Sequence, residues 1–154
     1  MLAQKLTTLL DRNHVQYQTI RHPPVATAQG LASVMHVPGR ELAKTVVLKV
    51  DGKYALAVLP APSHVDLARF REASGARSVT LATEAEFAGL FPGCVLGAEP
   101  PFGELYGLPV WVDTSLAEDA SVVFNGGTHA EAVRIAYRDF ERLARPRLAR
   151  FARA

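Results

Sequence analysis

Thr45-Val46-Val47-Leu48-Lys49-Val50-Asp51-Gly52-Lys53-Tyr54-Ala55-Leu56-Ala57-Val58-Leu59 sets an Asp-Gly pair between two apolar runs. Tight two-residue hairpin turns favour Asp-Gly because both of their central residues take positive φ. The stretch therefore predicts an antiparallel hairpin. Its second arm, 54–59, is nearly all apolar, which predicts a central strand covered on both faces. If the first arm begins at Lys44, then Lys44, Val46, Leu48 and Val50 share one face, and Thr45, Val47 and Lys49 the other. Lys44 thus leads the more apolar face. A lysine there either snorkels its ammonium to water or meets an anion in a cleft, and the pattern leaves both open.

Upstream, Leu2, Leu6, Leu9 and Leu10 recur at helical spacing and predict an amphipathic helix over 2–12. Residues 15–20 alternate as a strand, and His22-Pro23-Pro24 is a stiff extended connection. Thr27 stands at an N-cap position before Ala28, Leu31, Ala32 and Met35 on one helical stripe. A short helical turn through Glu41 and Leu42 leads into the hairpin. Downstream, Ser63 is placed to cap a helix over 64–73, with Gly75 as its stop. A strand over 78–82 precedes Thr83-Glu84-Ala85-Glu86, which has the form of a capping box and opens a helix running to Pro92-Gly93. Strands over 109–113, 121–125 and 132–137 follow, with Asn125-Gly126-Gly127 as a turn. Asp139 is placed to cap a last helix that Pro146 interrupts. This order, without repeat or linker, predicts one α+β domain over residues 1–154 with a mixed sheet.

The chain of 154 residues is 49% hydrophobic and 21% charged, enough to bury a core and unlike a disordered, fibrous or disulfide-dependent chain. One cysteine, Cys94, provides neither an intramolecular disulfide nor a zinc ligand set. The N-terminus lacks the basic-then-apolar form of a signal peptide, and no apolar run approaches the roughly 20 residues that span a bilayer. A cytoplasmic protein without membrane contact is the expectation. The net charge of +2 is too small to announce a nucleic-acid binder. It conceals a split, because residues 134–154 carry seven arginines against two carboxylates, Asp139 and Glu141. That tail reads either as a solvated helix face or as a basic patch for an anionic partner.

Five histidines, at 14, 22, 36, 64 and 129, show no spacing that places two metal ligands on one helix face, so no metal or other cofactor is expected. There is no Gly-x-Ser-x-Gly elbow and no phosphate loop with its lysine. No base stands beside Cys94 in sequence, and a lone cysteine reads as a small buried hydrophobe. Two glycine-rich stretches, 97–103 and 126–129, either expose backbone N–H groups to an anion or oxyanion, or simply form turns.

His22-Pro23 with Thr27-Ala28-Gln29 is followed by Val37-Pro38-Gly39-Arg40-Glu41-Leu42-Ala43-Lys44-Thr45-Val46-Val47-Leu48-Lys49. Leu59-Pro60-Ala61, Gly97-Ala98-Glu99-Pro100-Pro101-Phe102-Gly103, Val112-Asp113 and Phe124-Asn125-Gly126-Gly127-Thr128-His129 continue the series in order. These segments give the chain a resemblance to the YbaK / prolyl-tRNA-synthetase-associated domain family of aminoacyl-tRNA editing enzymes. It implies an α+β fold with a mixed, partly barrel-like sheet flanked by helices. It implies hydrolysis, in trans, of the ester joining a wrong amino acid to the 3′-terminal adenosine of a tRNA. A tRNA for proline charged with Ala, Ser, Thr or Cys is the expected substrate. By the same resemblance Lys44 engages phosphate or ribose, and His129 acts toward the ester as donor or general base. Gly97, Phe102, Gly103, Gly126, Gly127 and Thr128 line the pocket. The place of Met35, His36 and Leu42 just before Lys44, and not the resemblance, puts them at its border. The expected partners are the tRNA acceptor end and, further, an aminoacyl-tRNA synthetase, with no DNA. A second reading keeps the same cleft as a non-catalytic tRNA- or nucleotide-binding module.

Overall fold

Asp51 and Gly52 both take left-handed φ, 48° and 83°, and close a two-residue turn in which Val50 faces Lys53. The computed structural model describes residues 2–23, 38–95 and 97–154, so the helix expected over 28–35, Thr27, Met35 and His36 lie outside the described residues. The Asp51 turn joins β2 (Ala43–Val50) to β3 (Lys53–Pro60) in the predicted antiparallel register. The Asp51 carboxylate also accepts the N–H groups of Arg77 and Ser78. That holds β5 (Val79–Leu81) against the outer edge of β2. On the other side β6 (Val110–Asp113) and then β9 (Arg147–Ala149) add in parallel, giving the order β5-β2-β3-β6-β9 with β3 at the centre.

Two apolar layers cover this sheet. Val47, Leu56, Val58, Val110 and Val112 face the larger core, with Leu6 and Leu10 of α1 (Gln4–Arg12) and Phe140 of α4 (Tyr137–Ala144). Leu48, Ala57 and Leu59 face the other way, onto Phe151 and Phe70 of α2 (Leu67–Ser74). Phe70 meets Trp111 and Phe151 edge-on, both with ring centroids 5.2 Å apart. A second sheet, in the order β1-β8-β7, is built of β1 (Gln18–Arg21), β8 (Glu131–Ala136) and β7 (Ser121–Thr128). It sends Val122, Phe124, Val133 and Ile135 into the larger core. Among the described residues one parallel bridge, Leu42 to Val123, joins it to the start of β2. The five-stranded sheet is mixed and the three-stranded one antiparallel, and they do not close into a barrel, so the barrel-like part of the expectation is corrected.

Other expectations shift with the local chemistry. His64 and Val65 form β4 (His64–Val65), paired with β10 (Ala152–Arg153), so the cap of α2 is Asp66, whose carboxylate accepts the Arg69 N–H at 3.1 Å, and not Ser63. Gly75, at φ 71°, is the stop that was expected. Thr83 and Glu86 do form a capping box, but α3 (Glu84–Phe87) lasts only one turn. β7 runs through Asn125-Gly126-Gly127 with an irregular register, moving the turn to His129-Ala130. Asp139 lies inside α4, whose cap residue is Ala136, and the chain beyond Pro146 forms strands rather than more helix.

Asp113 fastens those last strands. One carboxylate oxygen accepts the N–H groups of Phe151 and Ala152, both at 2.8 Å, and the other accepts the N–H and hydroxyl of Ser115. Burial alone would raise its pKa, but the bonds from the Ser115 hydroxyl and the three amides outweigh burial and hold it below the usual aspartate value. Removing the carboxylate leaves these donors unpaired, so Asp113→Ala should cost about 3 kcal/mol in urea unfolding at pH 7. A pKa lowered by folding means that this contribution is complete above the unfolded value of about 3.9 and disappears as pH falls through the folded one. The difference between parent and variant should therefore shrink below about pH 4. A constant difference would contradict the assignment.

Candidate functional site

Lys44 is the second residue of β2, opposite Leu59, on the face shared with Val46, Leu48 and Val50. Its side chain is half-buried, and burial lowers its pKa. Among the described residues no carboxylate lies within ion-pair distance of its ammonium. Lys49, on the opposite face, is instead bound to Glu86 at 3.0 Å. A partly desolvated ammonium without a protein counter-ion gains from an arriving anion the interaction it lost with water. The Leu42–Val123 bridge is parallel, so β2 and β7 leave it in the same direction. Lys44 lies two residues beyond Leu42, and Asn125 two beyond Val123.

Further along β7 the second glycine stretch meets the first. Gly127 takes φ 100°, donates its N–H to Ala98 at 2.9 Å, and accepts the Val95 N–H at 2.8 Å. These two hydrogen bonds stitch the 95–98 loop to the end of β7. Beyond it, the imidazole of His129 lies against Gly97, where a Cβ would stand 3.5 Å from Cε1 and 3.7 Å from Nε2. Thr128, half-buried, accepts the Ala130 N–H at 3.3 Å and shapes the turn that carries His129. Gly97, Gly126, Gly127, Thr128 and His129 therefore form one cluster, with Lys44 on the neighbouring strand.

Phe102 and Gly103 do not join it. Phe102 is fully buried, edge-on to Phe124 at 5.4 Å and Phe140 at 5.5 Å, and is a core residue. Gly103 is buried against the Leu108 carbonyl, 2.2 Å from where a Cβ would stand, and packs that corner of the core. Two amides of the expected glycine stretches are already engaged. The Gly97 N–H is bound by the Glu99 carboxylate at 2.8 Å and the Gly127 N–H by Ala98, so neither is open to a ligand. Gly126 gives its carbonyl to the Ala3 N–H at 2.8 Å and supports α1.

Glu99 was not singled out in the sequence, yet it is buried and sets the shape of the 97–99 turn. The legible signal is a carboxylate two residues after a glycine, the spacing of a side chain closing its own turn. Cys94 sits nearby with its Sγ 3.2 Å from the Tyr106 hydroxyl, and Lys5 stands over the Tyr106 ring at 5.4 Å. Burial raises the Cys94 thiol pKa, the Tyr106 bond lowers it, and the charge of Glu99 raises it again, for a net rise. A thiol held in its protonated form is a poor nucleophile. Among the described residues no three His, Cys, Asp or Glu side chains gather as a metal-ligand set, and no helix is long and apolar enough to cross a membrane.

With this geometry in place, the comparisons with known proteins agree with one another. Residues 22–143 match the model of the aminoacyl-tRNA editing domain family. The chain is 30% identical over 155 residues to the Multifunctional Ser/Thr-tRNA deacylase ProXp-y of Escherichia coli K12, covering 97% of this chain and 92% of that one. It is 31% identical over 102 residues to a proline–tRNA ligase of Staphylococcus aureus strain Newman, covering 63% of this chain and 17% of the ligase. A crystal structure of a protein proposed as a trans-editing enzyme for prolyl-tRNA synthetase superposes with a TM-score of 0.84 at 21% identity, covering 99% of this chain and 97% of that one. The crystal structure of the hypothetical protein APE2540 does so with 0.86 at 19%, covering 97% and 100%. At those identities the superpositions speak for the fold.

Two measurements test the cluster. A Cβ on Gly127 would stand 2.7 Å from the Cβ of Ala3 in addition to the strain of its positive φ, so Gly127→Ala should cost about 3 kcal/mol. Ala3→Gly in the same chain should restore about 1 kcal/mol, and strict additivity of the two changes would contradict the contact. Cys94 should react with iodoacetamide at pH 7.5 at least tenfold more slowly than an unperturbed thiol of pKa about 8.5. Alkylation at the free-thiol rate would contradict its placement.

Proposed function

The chain belongs to the aminoacyl-tRNA editing domain family, and on that premise we propose that it hydrolyses, in trans, the ester between a wrongly attached small amino acid and the 3′ end of a tRNA. The proposed tRNA is that for proline. Ser and Thr esters come first among the candidates, since the E. coli relative is named for them, with Ala and Cys esters beside them. Lys44 carries the reading: a half-buried ammonium without a carboxylate partner among the described residues is the form that a phosphate or ribose-proximal anion site takes.

An aminoacyl ester is already activated, so the protein needs no nucleophile of its own. Water adds to the ester carbonyl carbon, the carbonyl oxygen takes up negative charge, and the bond to the ribose oxygen breaks as that oxygen gains a proton. Free amino acid and tRNA leave. Lys44 fixes the nucleotide end, which converts the attack into a step between held partners. His129, kept against Gly97 by the β7 turn, faces the ester and either donates to it or receives the proton of the water. The neighbouring ribose 2′-hydroxyl helps to position that water. With the Gly97 and Gly127 amides already bonded, stabilisation of the developing charge falls to groups other than those two.

Deacylation of tRNA charged with Ala, Ser, Thr or Cys tests this directly. The parent should release at least one of the four. Lys44→Ala should lower kcat/KM about 100-fold or more, mainly through KM, and Lys44→Met should do the same because the stem is kept while the charge is lost. His129→Ala should lower kcat by about 100-fold or more. Tight tRNA binding with no release of any of the four amino acids would overturn the reading in favour of a binding module.

A further inference from the structure

Some cations outside the candidate site are answered by a carboxylate. Arg40 faces Asp119 at 3.6 Å, Lys49 faces Glu86 at 3.0 Å, and Arg69 faces Asp66 at 3.7 Å. One region differs. Where α1 lies beside the 103–106 turn and the end of α4, two adjoining hollows of about 530 and 510 Å³ share Lys5, Leu9, Asn13 and Leu105 as lining. Around them stand Lys5, Arg12, Arg142 and Arg145, with Glu104 as the carboxylate of the lining. All four cations are exposed, and among the described residues only Arg142 has an ion-pair partner, Asp139 at 3.2 Å. The local fold places them. Lys5 and Arg12 are seven residues apart in α1, hence on one face about 10 Å apart along the axis. Arg145 ends α4 in a left-handed conformation, φ 47°, which turns the chain at that point.

We infer that this groove is a phosphate-backbone track for the RNA whose 3′ end occupies the candidate site, gripping the duplex part next to that end without reading its sequence. The inference rests on the deacylase reading for the identity of the RNA. Three observations carry it. The cations form an elongated row rather than a point, as a run of phosphodiesters requires and a single small anion does not. The row has little acidic counterweight. The groove is also continuous with the site through α1, whose Ala3 N–H holds the Gly126 carbonyl, and through Lys5, Tyr106 and Cys94, which lead to the 95–98 loop. The arginine-rich tail thereby divides. Arg142 and Arg145 belong to the track, whereas Arg147 stacks on Trp111 at 5.4 Å.

The test compares two triple variants of equal charge change by fluorescence anisotropy with uncharged tRNA at several salt concentrations. In the groove the substitutions are Lys5→Gln, Arg12→Gln and Arg145→Gln. Away from it they are Lys53→Gln, Arg71→Gln and Arg77→Gln, all at exposed positions. The groove variant should bind about tenfold or more weakly and lose about 2 to 3 from the slope of log affinity against log salt, since each phosphate contact contributes about 0.7–0.9. The distant variant should change much less. Lys5→Glu alone should lower affinity in the same direction. Deacylation of a short aminoacylated 3′-end fragment should be unaffected in the groove variant, while kcat/KM on full-length tRNA falls. Equal affinity and slope in parent and groove variant, or equal losses in the two triples, would overturn the track. Polyglutamate displacing tRNA at matched charge would also overturn it, in favour of an acidic protein partner. A parent that hydrolyses nothing but shows the predicted binding pattern removes the deacylase reading and leaves the track standing.

Discussion

The parallel pairing of Leu42 with Val123 is the joint on which the arrangement depends. Parallel neighbours cannot be linked by a tight turn, so the pairing brings together two parts of the chain that are far apart in sequence. On one side of it stands the hairpin with Lys44, and on the other the irregular strand that leads to His129. Leu42 is completely buried, with Val123, Ala132 and Ala61 around it, and the Ala61 N–H bonds back to the Leu42 carbonyl at 2.8 Å. A cation and an imidazole contributed by two sheets can keep a fixed relation only if such a seam is rigid, and dry packing of small and branched side chains makes it so.

Electrostatics follows the same economy. Two interior carboxylates, Asp113 and Glu99, bind backbone N–H groups and hold loops in shape. Surface carboxylates answer surface cations in scattered pairs, each worth little in water. Among the described residues Lys44 and, apart from Arg142, the cations of the α1–α4 groove have no such match. A chain with a net charge of +2 can therefore present locally strong positive potential, because placement decides what a partner meets.

Much of this was legible in the residues. Asp51-Gly52 announced the hairpin, its register and the central position of β3, because turn chemistry and an unbroken apolar run pointed to one answer. Thr83 and Glu86 announced their capping box, though not how soon the helix would end. Failures came where tertiary partners outweighed local preference. Gly126 and Gly127 read as a turn, yet they continue a strand because α1 packs close against them and only residues without a Cβ admit it. His64 and Val65 read as helix, but β10 offers them a ladder that no local pattern foretells. In the candidate site, Lys44, Gly97 and His129 are proposed from the resemblance and from alternation along the strand. Phe102 and Gly103 were drawn in by their place in the same motif, although an apolar ring and a tightly enclosed glycine serve the core. Glu99 was passed over because a lone carboxylate in a turn gives no periodic signal.

Phe151 is completely buried between the sheet and α2, its carbonyl accepts the Asp66 N–H, and its own N–H binds Asp113. One late residue thus supplies the ring that fills the second apolar layer and the backbone contacts that draw β4 and β6 toward each other. The hairpin and α2 are local and can form early, but that layer stays open to water until the C-terminal segment docks. During that interval Leu48, Leu59 and Phe70 form an exposed apolar surface next to an unpaired strand edge, the kind of surface on which folding chains aggregate. The order in which contacts can be made, more than their total strength, sets the period when this protein is most vulnerable.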